Sequence, residues 1–181
     1  MVGSFKYWSG VIVYGQSGAG KTHSMTGNAW KRDGIVSTFI KSLIDDKETR
    51  VSIRMIQIYK SKITDLLRSP LEKYNVLEPE RIDCMEGLKE VSLSKEMAAQ
   101  DLKGAMKIIN RGLDNRKMRD TYMNDVSSRS HLILFVEHSD DWKWFVDLAG
   151  MERVSRITRE TKLYLEAVFI NESLANFLRI I

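Results

Sequence analysis

VIVYGQSGAGKTHSM, residues 11–25, places four apolar residues directly before a glycine-rich run that ends in lysine and threonine. Val11–Tyr14 reads as a short buried strand. Gly15-Gln16-Ser17-Gly18-Ala19-Gly20-Lys21-Thr22 fits G-x-x-x-x-G-K-[ST], the pattern of a phosphate-binding loop. Glycines at 15, 18 and 20 let the backbone turn tightly without Cβ clashes, so that consecutive N–H groups point inward at an anion. A helix start behind the loop adds positive potential. Lys21 is expected to reach the β and γ phosphates, and the Thr22 hydroxyl to ligate Mg²⁺. A Gly/Ser turn that happens to precede a lysine would not need strand, loop and helix in this order.

Working outward, the bulk properties admit such a domain. The 181 residues are enough for one domain with a sizeable core, and 43% hydrophobic with 29% charged residues is ordinary globular composition. A lone cysteine, Cys84, excludes an internal disulfide, suits a reducing compartment and gives no sign of a cysteine-based metal site. The longest apolar runs, such as Leu132–Val136, are too short to span a bilayer, so no membrane partner is expected. The N-terminal apolar stretch feeds the loop and offers no cleavage site. The net charge of +4 is that of a mixed, solvated surface with a mild bias toward acidic partners; no nucleic-acid partner is read from it.

Along the rest of the chain, Ile35, Phe39, Ile40, Leu43 and Ile44 form a helical stripe over 35–44. Arg50–Tyr59 reads as an interior strand, with Val51, Ile53 and Met55 on one face and Ile56 and Ile58 on the other. A short helical turn is expected at Ile63–Leu67, then mostly loop with short strands from Arg68 to Glu90 around Pro70 and Pro79. Ser94 is expected to cap a helix with apolar positions Ala98, Leu102, Ala105, Met106 and Ile109, ending at Gly112. Leu132–Glu137 and Trp142–Leu148, four residues apart, should pair as an antiparallel hairpin. Leu163, Ala167, Ile170, Leu174, Phe177 and Ile181 lie on one long amphipathic stripe. Helices alternating with buried strands predict a layered α/β domain with a mixed central sheet.

Two further stretches belong with the loop. NDVSSRSH, residues 124–131, clusters hydroxyls around one arginine before a strand; VDLAGMER, residues 146–153, delivers Asp147 from an apolar strand with Gly150 three positions on. An acidic residue at a strand end can hold Mg²⁺ through water, and a glycine N–H can meet a γ-phosphate and move when it leaves. Singly these are a Ser-rich turn, an Asp capping a turn and a Gly ending a strand. Together and in this order, with GQSGAGKTHSM, they resemble the phosphate loop, switch I and switch II of the kinesin motor domain. INESL, residues 170–174, resembles the start of its relay helix, and IRMIQIYKSKITDLL (53–67) and NRKMRDTYMN (115–124) resemble its supporting segments.

The resemblance covers nearly the whole chain. It implies a phosphate-loop NTPase-type fold over residues 1–181, an ATPase that uses ATP and Mg²⁺, microtubules (tubulin) as partner, and a cytoplasmic, cytoskeletal location. It further implies that Gly15, Gln16, Ser17, Gly18, Ala19, Gly20, Lys21 and Thr22 cradle the phosphates and that His23 lies against the adenine. Ser127 and Ser128 would close on the γ-phosphate, the attacking water and the metal; Asp147 would hold the metal's water shell and Gly150 sense the γ-phosphate. Arg129 and Glu152 would join the two switches in a salt bridge. The family pattern extends beyond both ends of this sequence, which implies a partial motor domain and leaves oligomerisation to segments outside it. Met151 stands where the family usually has Ser, Thr158 and Thr161 where it commonly has Gly, and Leu178 where its relay helix has Gly. Those departures keep a second expectation open, a kinesin-like module that binds nucleotide or tubulin without productive turnover. An unrelated phosphate-loop ATPase or GTPase is a third, disfavoured by SSRSH followed by DLAG-x-ER.

Overall fold

The computed structural model describes residues 9–27, 34–44, 50–59, 62–68, 76–77, 95–123, 129–139 and 141–150. The stripe from 163 to 181, the segment INESL, Met151, Thr158, Thr161 and Leu178 lie outside the described residues.

The elements run β1 (Ser9–Val13), α1 (Lys21–Thr26), α2 (Ile35–Ile44), β2 (Val51–Tyr59), β3 (Lys62–Asp65), β4 (Val76–Leu77), β5 (Met97–Ala99), α3 (Leu102–Met123), β6 (His131–His138) and β7 (Asp141–Asp147). They build one seven-stranded sheet in the order β1-β7-β6-β2-β3-β4, with β5 also pairing β2. Among the described residues only β1 and β7 pair in parallel, so the sheet is mixed, as the alternation of patterns predicts.

The period-two alternation of β2 and β6 sorts the core. Val51, Ile53 and Met55 of β2, with Leu132, Leu134 and Val136 of β6 and Phe145 of β7, face Met25, Val36, Ile40 and the buried stripe of α3. Ile56, Ile133, Phe135 and Val146 form a second cluster on the other face. Among the described side chains of α3, Ala105, Met106, Ile108, Ile109, Gly112, Asn115 and Arg116 are buried, a helical stripe. At Gly112 the helix passes so close to β2 that a Cβ would stand 2.5 Å from Met55 Sδ.

Four expectations need correcting. Ile63–Leu67 is not a helical turn: Lys62–Asp65 is β3, antiparallel to β2 with Ile58 opposite Ile63. The chain then turns because the buried Asp65 carboxylate accepts from Leu67 N (2.9 Å), Lys95 N (2.5 Å) and Arg68 Nε (3.1 Å). Ala98 is not helical either. Met97–Ala99 pairs with β2, and the helix starts three residues later, where Asp101 Oδ1 accepts from Gly104 N at 2.6 Å. Nor does α3 end at Gly112; it continues to Met123, because packing against β2 outweighs the helix-weakening effect of one glycine. Finally, β1 stops at Val13, and Tyr14 is 74% exposed.

The hairpin of β6 and β7 forms as expected, with Leu132 opposite Asp147 and His138 opposite Asp141. Val13 in turn is aligned with Asp147. The exits of β1 and β7 and the entry to β6 therefore lie at one end of the sheet, and that end carries the site.

Candidate functional site

The loop after β1 has the conformation its glycines allow. Gly18 (φ 77°) and Gly20 (φ 82°) occupy the left-handed region, where a side chain would be strained, and Gly20 leads into α1. Lys21 reaches back over the loop and donates from Nζ to Gly15 O (3.0 Å) and Gln16 O (2.8 Å). These carbonyls are acceptors that an incoming phosphate oxygen would replace. Ala19 N donates to Gln16 O at 3.2 Å, closing the turn beneath.

At the end of β7, Asp147 is 2% exposed. Its Oδ2 accepts from two elements at once: the Thr22 hydroxyl at the start of α1, and Arg116 Nη1 of α3 at 3.2 Å. Its Oδ1 is buried and has no hydrogen-bond partner among the described residues. A buried carboxylate oxygen normally finds a donor or a cation. This orphaned oxygen beside a hydroxyl is the donor set that Mg²⁺ uses when it keeps waters and takes its remaining ligands from substrate phosphates. The residues therefore fit the metal that the sequence implied.

The entry to β6 and the turn after β7 complete this end of the sheet. Arg116 Nη2 donates to Ser130 O (3.0 Å) and Ser130 Oγ (3.3 Å), and Gln57 Nε2 of β2 donates to the same hydroxyl at 2.8 Å. His131 Nδ1 accepts from Ala149 N at 3.1 Å, tying the start of β6 to the turn after β7. That hydrogen bond requires an unprotonated Nδ1. Burial first, and then the Arg116 charge, push the His131 pKa down to about 4 against the opposing pull of Asp147.

Between these segments lies an open cleft of about 300 Å³, lined by Ser17, Gly18, Gly20, Lys21, Thr22, His23, Asp147, Leu148 and Gly150. Its volume is at the small end of ligand pockets. Lys21, Thr22, Asp147 and Gly150 thus share one cavity, with His23 exposed at its wall. Gly15 and Gln16 serve the Lys21 ammonium through their carbonyls. Arg129 is half-buried and is not part of the lining; Ser127, Ser128 and Glu152 lie outside the described residues.

Arg116, Gln57, Ser130 and His131 were given no role by the sequence reading. For Arg116 a signal existed: the buried stripe through Ala105, Ile109 and Gly112 continues on to position 116, a charged residue on an apolar face. Gln57 carries no such signal, since a polar residue near a strand end is ordinary.

Comparison with known proteins adds an independent line. A family profile described as "Kinesin motor domain" matches residues 6–181. Kinesin-like protein 3 of Schizosaccharomyces pombe is 32% identical over 185 residues, which cover 91% of this chain and 32% of the relative. KIN-14S of Arabidopsis thaliana is 31% identical over 186 residues, covering 91% and 24%. The chromosome-associated kinesin KIF4 of Gallus gallus is 33% identical over 196 residues, covering 95% and 16%. The chain thus spans about a third or less of the length of these curated relatives. In fold it is similar to a solved fast kinesin, described for its ATPase mechanism and interactions with microtubules, at TM-score 0.66 and 24% identity over 91% of this chain and 51% of that one.

Proposed function

Because this chain belongs to the kinesin motor-domain family, we propose that residues 1–181 contribute to one motor domain that binds ATP in the cleft, hydrolyses it, and couples the cycle to microtubule binding and movement. The observation that carries this reading is the direct hydrogen bond between Thr22 and Asp147, 125 positions apart, at the floor of a cleft that Lys21 and Gly150 also line.

Phosphoryl transfer depends on placement and charge stabilisation far more than on covalent help from the protein. The Lys21 ammonium leaves the Gly15 and Gln16 carbonyls for the β and γ phosphate oxygens, and the left-handed glycines leave the loop's N–H groups room to close on them. A bound Mg²⁺ would supply positive charge against the negative charge that develops in the transfer. Thr22 and Asp147 would hold it, with Ser128 as a further ligand, and the Asp147 Oδ1 has no competing donor among the described residues. The Gly150 N–H, just past β7, is the γ-phosphate sensor. Ser127 orients the attacking water, and an Arg129–Glu152 pair closes the two switches over it. His23, exposed at the cleft wall, lies against the base. Residence in the cytoplasm on microtubules follows from the same reading.

The test is phosphate release by the chain with and without microtubules, wild type against Lys21→Ala. Turnover that rises with microtubules and is lost in Lys21→Ala supports the motor. Met151, Thr158, Thr161 and Leu178 favour a second reading, a module that binds nucleotide or tubulin without turnover; at Thr158 and Thr161 a β-branched residue in place of glycine narrows the conformations open to the backbone. Binding without release would select it, and a preference for GTP over ATP would overturn both.

A further inference from the structure

We propose that Arg116 is a positioning residue: it grips Asp147 at the cleft by one oxygen and leaves the other without a donor among the described residues, and thereby sets how much Mg²⁺ is needed to retain nucleotide. The proposal rests on the nucleotide reading above and goes beyond it by adding a residue from α3, outside the loop and both switches.

Asp147 Oδ2 has two donors, the Thr22 hydroxyl and Arg116 Nη1 at 3.2 Å. The first is a single O–H on a side chain that also turns a lone pair toward an arriving metal. Arg116 supplies the charged, buried second hold that fixes the carboxylate. It is suited to this because it is 5% exposed and rises from the buried stripe of a 22-residue helix instead of from a mobile loop. Its second nitrogen, Nη2, holds Ser130 through both the carbonyl (3.0 Å) and the hydroxyl (3.3 Å). One planar guanidinium thus joins the end of β7, the entry to β6 and α3. A lysine ammonium is a point charge on a flexible stem and cannot reproduce that two-sided fork. Partners that orient a metal's ligands without touching the metal commonly change metal affinity by about 10- to 100-fold.

The experiment follows release of N-methylanthraniloyl-ADP from the 181-residue chain as free Mg²⁺ is stepped down with EDTA. Wild type is compared with Arg116→Gln, Arg116→Lys and Arg54→Gln; folding is checked by circular dichroism. Arg54→Gln removes a different ion pair, Arg54–Glu96 at 2.8 Å, and is the control for loss of an arginine as such. The Mg²⁺ level for half-maximal retention should rise about 10- to 100-fold in both Arg116 variants and stay at the wild-type level in Arg54→Gln. Release in excess EDTA should be alike in all four. Wild-type Mg²⁺ dependence in a folded Arg116 variant overturns the proposal, as does an equal shift in Arg54→Gln. If Arg116→Gln does not fold, Arg116→Lys carries the comparison. Loss of folding in both overturns the proposal in favour of a purely structural arginine. A wild-type chain that retains no nucleotide at any Mg²⁺ level overturns the nucleotide reading itself.

Discussion

Mild acid should weaken this fold through one residue, His131. In the native state its Nδ1 accepts from Ala149 N at 3.1 Å, and the ring is 5% exposed beside Arg116 and Asp147. Its pKa is lowered from 6.5 to about 4, so between those values the unfolded chain binds a proton that the native chain refuses. Stability therefore rises with pH across that window and is fully present above the unfolded value; it is lost as pH falls from 6.5 toward 4. Every tenfold weakening of proton binding corresponds to about 1.4 kcal/mol, so the full loss is about 3 kcal/mol, with about 2 kcal/mol gone by pH 5. Glu96 is held below its ordinary value of 4.5 first by the Ser52 hydroxyl and then by Arg54, so its contribution is lost in a lower window. The assay is urea unfolding at several pH values between 7 and 4.5, wild type against His131→Asn. Asparagine keeps an acceptor for Ala149 N and removes the titrating ring, so its stability should change little across this range. A wild-type slope that survives in His131→Asn would refute the reasoning.

The packing makes three further predictions, all read by urea unfolding. Gly34→Ala would put a Cβ 2.2 Å from Gly27 N and 2.4 Å from Thr26 C, backbone atoms that cannot swing aside, and should cost about 2 kcal/mol or more. Gly112→Ala meets side-chain ends and no backbone, Met55 Sδ at 2.5 Å and Leu67 Cδ2 at 3.4 Å, and gains helix propensity, so it should stay within about 1 kcal/mol of wild type. Equal losses in these two variants would show that clash distance alone, not the rigidity of the neighbour, governs the cost. Asp65→Ala strands the Leu67 and Lys95 N–H groups and should cost about 3 kcal/mol; a loss under about 1 kcal/mol would mean that water replaces the carboxylate.

The sequence was most legible where a local pattern and its tertiary setting ask for the same residues. The 35–44 helix, the interior strand β2 and the β6–β7 hairpin follow from periodicity, because one buried face dictates each pattern. The errors fall where a non-local partner decides. Met97–Ala99 is too short to carry a period and is a strand only because β2 lies beside it. Ile63–Leu67 mixes apolar residues and an aspartate as a helix would, yet Ile63 is claimed by Ile58 across a hairpin. The same division holds at the site. The loop, Thr22, Asp147 and Gly150 are marked by spacing, whereas Arg116 and Gln57 act through neighbours remote in sequence, Asp147 and Ser130. Only the charge of Arg116 on a buried helical face advertised its role.

The pairing of β6 with β7 carries a practical corollary. The ladder runs six steps from the Leu132–Asp147 rung to the His138–Asp141 rung, just beyond which the chain reverses at Ser139 (φ 50°). At about 3.4 Å per residue that is about 20 Å of rigid ribbon. A fluorophore or short tag grafted at this reversal should report on the chain without disturbing the cleft, which makes it a natural handle for labelling.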